Sequence, residues 1–232
     1  MRGITLFALF TAIMTLSFMF TPLHSVLAAD TAEDSVVIES TASAPSTVAV
    51  DDSEINVPDL MQDRVIGDVN APVTVIEYAS MTCMHCAHFH NTVYPTVKKE
   101  LIDTGKVKFI FREFPLDGVA LRASMMARCA PEDKFHSLLE VLFANQKRWV
   151  GAADPIDAMS KLGKLAGLSE TRMKACLANT DLETKILETR QDATQTYKVN
   201  ATPTFVFNNG AEVESGVLPA NEFKKIVDTL TQ

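Results

Sequence analysis

The densest chemistry in the sequence is Cys83-Met84-His85-Cys86. Two thiols separated by two residues can close a disulfide ring and reopen it, so the motif can pass electrons by thiol–disulfide exchange. An apolar, β-branched run, Val73 to Tyr78, precedes the motif, and apolar residues at helical spacing follow it. Cys83 therefore falls where a strand gives way to a helix. At a helix N-terminus the unpaired N–H groups and the macrodipole favour a thiolate, whereas Cys86 lies one turn further in. Stabilising the thiolate stabilises the reduced form, which makes the disulfide a stronger oxidant. His85 inside the ring adds a donor or a positive charge near the Cys83 sulfur.

Other uses of these residues are weaker. A c-type haem needs His directly after the second Cys, and Ala87 stands there. A structural zinc would want a second ligand pair, and the sequence has no other CxxC. His85, His88 and His90 make the tract Cys/His-rich, leaving metal binding as a minor alternative. A helix spreads 83, 86 and 90 along one face and 85 and 88 along another, so all five cannot share one ion. No metal and no cofactor is expected.

The elements that must position the motif follow from periodicity. Val73 to Tyr78 is a buried strand, and Phe89, Val93, Val97 and Leu101 mark a helix closed by Gly105. Lys106 to Phe114 is again strand-like, so the body opens as strand, helix, strand. From Leu116 to about Lys198 the pattern is helical. Pro131 stops one helix, Pro155 opens another, Ser169 caps a third, and a last long one runs from about Leu182 to Tyr197. Thr202 to Phe207 is a strand introduced by Pro203, Asn208-Asn209-Gly210 is a hairpin turn, and Ala211 to Gly216 is the return strand. Pro219 opens a C-terminal helix. The strands predict a mixed sheet in an α/β chain.

The N-terminus reads differently. Arg2 precedes an apolar run, Ile4 to Phe20, then Pro22 and the small-residue stretch around Ala28-Ala29. This is expected to be a cleaved secretory signal, the alternative being an uncleaved membrane anchor. Residues 30–54 contain seven acidic residues and eight Ser or Thr but no Lys or Arg, the composition of a solvated tether. The whole chain has 232 residues and a formal charge of -8, yet that tether holds most of it and the remainder is close to neutral. Nothing offers phosphates a basic face, so no nucleic acid partner is expected. With 47% hydrophobic residues the chain can build a core without relying on disulfides.

The stretch from Val75 to Cys86, VIEYASMTCMHC, resembles the active-site segment of the DsbA family of thiol oxidases. The helical stretch before Thr202-Pro203 is similar to the insertion that this family carries in a thioredoxin fold. The resemblance covers roughly Arg64 to Gln232. It implies a thioredoxin-like domain built from 63–115 and 190–232 and an all-helical subdomain inserted at 116–189; composition alone sets the linker at 29–62 and the signal peptide at 1–28. It implies that Pro203 is cis beside the disulfide, with the Thr202 backbone free to pair with an extended client, and that Glu77 helps proton transfer at Cys86. It also implies periplasmic thiol oxidation, with Cys83 as nucleophilic and Cys86 as resolving cysteine, acting on reduced exported proteins. A DsbB-like membrane quinone reductase would be the reoxidant.

Met84 and Thr202 depart from the best-known pattern, which has Pro and Val there; Thr is what the isomerase relatives carry. A milder oxidant, or an isomerase or reductase, is therefore the alternative, and a periplasmic metal-binding or chaperone module is a more distant one. Isomerases dimerise through an N-terminal module, and the tether here has no heptads, so a monomer is expected. Once Cys83 and Cys86 pair, Cys129 and Cys176 either pair with each other or stay free as small buried hydrophobes. Some relatives carry a second disulfide in this region, and export favours Cys129–Cys176.

Overall fold

Successive residues of Val73 to Ala79 are buried towards alternate faces, so the strand they form has to lie inside a sheet with both faces covered. The computed structural model describes residues 54–232. The expected signal at 1–28 and most of the expected linker lie outside the described residues.

This strand, β2 (Val73–Ala79), runs parallel to β3 (Val107–Glu113) and antiparallel to β4 (Thr204–Phe207). Short strands β1 (Val65–Ile66) and β5 (Glu212–Ser215) add antiparallel edges, giving a mixed five-stranded sheet in the order β1-β3-β2-β4-β5. The turn between β4 and β5 takes positive φ at Asn208, Asn209 and Gly210, the residue types that tolerate it.

A parallel pair needs a crossover, and a long helix supplies it. Its pieces are α2 (Met84–His88) and α3 (Tyr94–Val97), joined by a π turn at Phe89–Val93 and followed by another at Lys98–Ile102. Pro95 lacks the N–H that would return to Asn91, and the helix widens there, with the Tyr94 N–H reaching the Phe89 carbonyl. Val73 and Val75, with Phe109, Phe205 and Phe207, pack against this helix and the C-terminal helix α10 (Ala220–Leu230). Ile76, Tyr78, Ile110 and Val206 face Ala193 and Tyr197 on the other side.

Between β3 and β4 lie α4 (Gly118–Arg128), α5 (Phe135–Ala144), α6 (Gln146–Val150), α7 (Pro155–Leu165), α8 (Glu170–Leu177) and α9 (Thr180–Tyr197). Asp117, Asp154, Ser169 and Asn179 each accept a backbone N–H at the start of a helix, and such caps are worth about 1 kcal/mol apiece. The apolar faces meet in a core of Met126, Phe135, Leu138, Leu142, Trp149 and Met173 that continues to Met81 and Cys86, so the helices pack directly behind the CxxC. A disulfide between Cys129 and Cys176, Cα atoms 6.3 Å apart, ties the end of α4 to α8.

Two expected boundaries move. The expected linker at 29–62 includes Val57–Leu60, which form a short helix, α1, capped by Asn56. Leu60 is buried, and Arg128 donates to the carbonyls of Leu60 and Gln62 at 3.1 and 2.8 Å. The expected end of the insertion at 189 falls inside α9, which continues unbroken until Lys198 takes a left-handed conformation. The second half of α9 packs on the sheet while Leu182 and Ile186 in its first half pack in the helical core, so one helix belongs to both parts.

Candidate active site

After Ala79 the chain turns through Ser80, Met81 and Thr82 before α2 begins. Hydrogen bonds hold that turn from the helical insertion: Thr82 Oγ1 donates to Asp117 Oδ2 at 2.6 Å, and Leu116 N–H to Ser80 Oγ at 3.3 Å. Gln146 on α6 donates through Nε2 to the carbonyls of both Met81 and Cys83, at 2.9 Å each. Cys83 is then the N-cap of α2, its backbone extended and its side chain making no capping bond. Its partly exposed thiol donates instead to the Thr202 carbonyl at 3.3 Å. Cys86, one turn in, is fully buried.

The two sulfurs are opposite in character. The Cys83 pKa is lowered from an ordinary 9.0 to about 5. The largest cause is a hydrogen bond from Cys86; the Thr202 side chain and the backbone N–H groups of Cys86 and His85 act in the same direction, against partial burial. The Thr202 hydroxyl is buried and has no other hydrogen-bond partner. Burial pushes the Cys86 thiol far up, and the Cys83 side chain and the Glu77 charge add to the rise. A thiolate at position 83 and a thiol at position 86 follow at neutral pH.

The Thr202–Pro203 peptide is cis and lies against Cys83. The sheet ladder between β2 and β4 begins only at the Tyr78–Thr204 pair, and the Thr202 N–H and C=O make no backbone hydrogen bond among the described residues. The backbone beside the reactive sulfur is thus open to an extended chain. A cleft of about 640 Å³ runs along the outer side of α2, lined by Met84, His85, His88, Phe143 and Lys147.

A family model described as Thioredoxin matches residues 59–229. Disulfide bond formation protein D of Bacillus subtilis is 32% identical over 167 residues, which is 66% of this chain and 70% of that protein. The solved structure of alpha-DsbA1 from Wolbachia pipientis matches with a TM-score of 0.67 and 28% identity, covering 73% of this chain and 91% of that one. The chain belongs to the thioredoxin family, on its DsbA-like branch. A Rickettsia bellii protein named as a candidate protein-disulfide oxidoreductase is 30% identical over 154 residues, and this DsbA-like chain spans only 59% of that relative's length.

In this DsbA-like site Cys83, Cys86, Thr202 and Pro203 come together, and Glu77 lies buried behind Cys86. The His85 side chain is exposed and makes no hydrogen bond among the described residues, and its backbone N–H is the smallest of the contributions that lower the Cys83 pKa. Sequence reasoning missed Gln146, whose only signal was an amide beside a buried Trp, and it missed the role of His90. His90 Nε2 donates to Glu77 Oε2 at 2.8 Å.

Proposed function

We propose that this chain is a thiol:disulfide oxidoreductase that introduces disulfide bonds into exported proteins through its CMHC motif. The observation that carries this reading is the asymmetry of the two sulfurs, one ionised and accessible, the other protonated and enclosed. A client thiolate attacks Cys83 Sγ of the oxidised motif, the Cys83–Cys86 bond breaks, and Cys86 leaves and takes up a proton. The client's second thiolate then attacks the client sulfur of the mixed disulfide and expels Cys83 as a stable thiolate. Two electrons pass from client to enzyme, and the low Cys83 pKa makes that departure favourable. The open Thr202 backbone supports pairing with an unfolded client strand, and the cleft beside Met84 supports accommodation of its side chains.

The same reading places the mature chain in the periplasm as a monomer, released from its signal at 1–28, held on the linker at 29–62 and reoxidised by a DsbB-like membrane quinone reductase. Oxidative refolding of reduced RNase, set beside reactivation of scrambled RNase, tests it. Rapid oxidation with weak unscrambling is expected. Strong unscrambling with little oxidation would replace the oxidase by an isomerase.

A further inference from the structure

Basic side chains gather on one side of Cys83, although the chain from residue 55 onward is close to neutral. The cleft of about 640 Å³ beside the motif has Met84, His85 and His88 of α2 on one wall and Phe143, Lys147 and Arg148 of α5 and α6 on the other, and no carboxylate among the described residues lines it. Two hydrogen bonds tie the walls together: Asn91 Nδ2 donates to the Phe143 carbonyl at 3.2 Å, and Gln146 Nε2 donates to the Cys83 carbonyl at 2.9 Å. Lys147 and Arg148 directly follow Gln146, so the bond that holds the active-site turn also brings two cations beside the motif.

The fold makes no use of these two charges. Lys147 and Arg148 are exposed, and neither forms a salt bridge among the described residues. They do not account for the thiolate either, whose main supports are hydrogen bonds from Cys86, Thr202 and the backbone. Glu140, the carboxylate of α5, lines the neighbouring cleft with Lys98 and Lys99 instead. From the opposite wall His85 and His88, both exposed, offer imidazole N–H donors. Met84, 67% exposed, adds apolar surface between them and Cys83. Cations on one wall and donors on the other suit a carboxylate carried on a short apolar stem.

We propose that this cleft selects clients that carry Asp or Glu two or three residues from the reacting cysteine, with Lys147 and Arg148 as the residues that read the charge. The inference deepens the thiol-exchange reading and rests on it. At about 1.5 Å per helical residue, His85 and His88 stand about 3 and 7.5 Å along α2 from Cys83. An extended client advances about 3.3 Å per residue, so once its sulfur reaches Cys83 its second and third neighbours lie over the cleft. Their carboxylates meet Lys147 and Arg148, and the imidazoles donate from the other side. The attraction speeds encounter and holds the docked client, while the exchange itself is unaltered: the client thiolate attacks Cys83 Sγ and Cys86 leaves. Exposed ion pairs set its strength, about 1.4- to 5-fold for each pair formed.

The test is single-turnover oxidation of dithiol peptides by the oxidised full chain, quenched in acid and read by mass. The peptides differ only in the residues two and three positions from the first cysteine, which are Glu, Gln or Lys, in one set before the cysteine and in another after it. Each rate constant is divided by the same peptide's rate with 2-hydroxyethyl disulfide, an uncharged disulfide, because neighbouring charges shift the client thiol itself. At low ionic strength the corrected constant for Glu is expected to exceed that for Gln about fivefold in at least one set, with Lys below Gln, and the ratio is expected to approach one in about 0.5 M salt. In Lys147→Glu with Arg148→Glu the order of the Glu and Lys peptides is expected to invert; the ratio is taken within the variant, so no absolute rate has to be retained. Equal constants for the three peptides in both sets, or an order that the double substitution leaves in place, would overturn the selection and leave thiol exchange standing. A Glu constant that rises with salt, as competition from the chain's own acidic residues 30–54 would produce, would overturn it too. Failure to oxidise any peptide would overturn the thiol-exchange reading and the selection with it.

Discussion

Moving from pH 7 to pH 5 should take stability from the reduced protein that the oxidised protein never has. Cys83 is held at about 5 against an ordinary 9.0. A group whose folded-state pKa is depressed contributes stability that is complete above the unfolded value and is lost as pH falls through the folded one. The window therefore runs from pH 9 down to about 5, and Cys86, pushed the other way, stays protonated in the fold across it. Two pH units at about 1.4 kcal/mol each set a ceiling near 2.7 kcal/mol for the change between pH 7 and pH 5. Cys83 is partly exposed, and solvent screening reduces that to about 1 kcal/mol.

Guanidinium denaturation of both redox forms at both pH values isolates the effect. Carboxylates and histidines distant from the motif titrate alike in the two forms, and the loop constraint of the closed disulfide does not depend on pH. Both cancel when the reduced-minus-oxidised difference at pH 5 is subtracted from that at pH 7. The reduced form should lose about 1 kcal/mol more than the oxidised form on acidification. An unchanged difference, or one of opposite sign, would refute a thiolate at Cys83 as the source of oxidising power.

Further outcomes follow from the supporting structure. Gln146→Leu removes the donor to two carbonyls of the active-site turn; the Cys83 carbonyl still accepts the Ala87 N–H, so the change should cost about 1–3 kcal/mol in denaturant unfolding for the Met81 carbonyl left unpaired, and should slow alkylation of Cys83. Arg128 and Glu113 form a buried bidentate pair at 2.5 and 2.8 Å. Arg128→Met alone should destabilise by about 3–5 kcal/mol, and adding Glu113→Leu should recover much of that, as the same unfolding measurement will show. Replacing Cys129 and Cys176 by Ala opens a cross-link of sequence separation 47; unfolding should become easier by up to about 4 kcal/mol while alkylation of Cys83 keeps its rate.

What could be read in advance was chemistry that neighbours in the chain enforce. The CxxC after a β-branched run, Pro155 and Ser169 at helix starts and the Asn-Asn-Gly turn are local preferences, and each stands where its local rule puts it. The mixed sheet followed from them, because a crossover helix makes one pair parallel and a tight turn makes another antiparallel. Contacts between distant segments had no such signal. Arg128 reaches back to Leu60 and Gln62, and Gln146 reaches Met81 and Cys83, through packing that no period encodes. The partial exception is a charged side chain inside an apolar run, since burying it without a partner is costly. Glu77 in β2 and Arg128 in α4 both satisfy that test, and each has its partner, His90 or Glu113, within a unit that packs on it. The two pairs differ in one respect that bears on function. Arg128 and Glu113 spend both carboxylate oxygens and two guanidinium nitrogens on each other, as a structural clamp should, whereas Glu77 and His90 each keep one polar atom open. The Glu77 charge is thereby less compensated than that of Glu113, in keeping with its part in pushing the Cys86 thiol up.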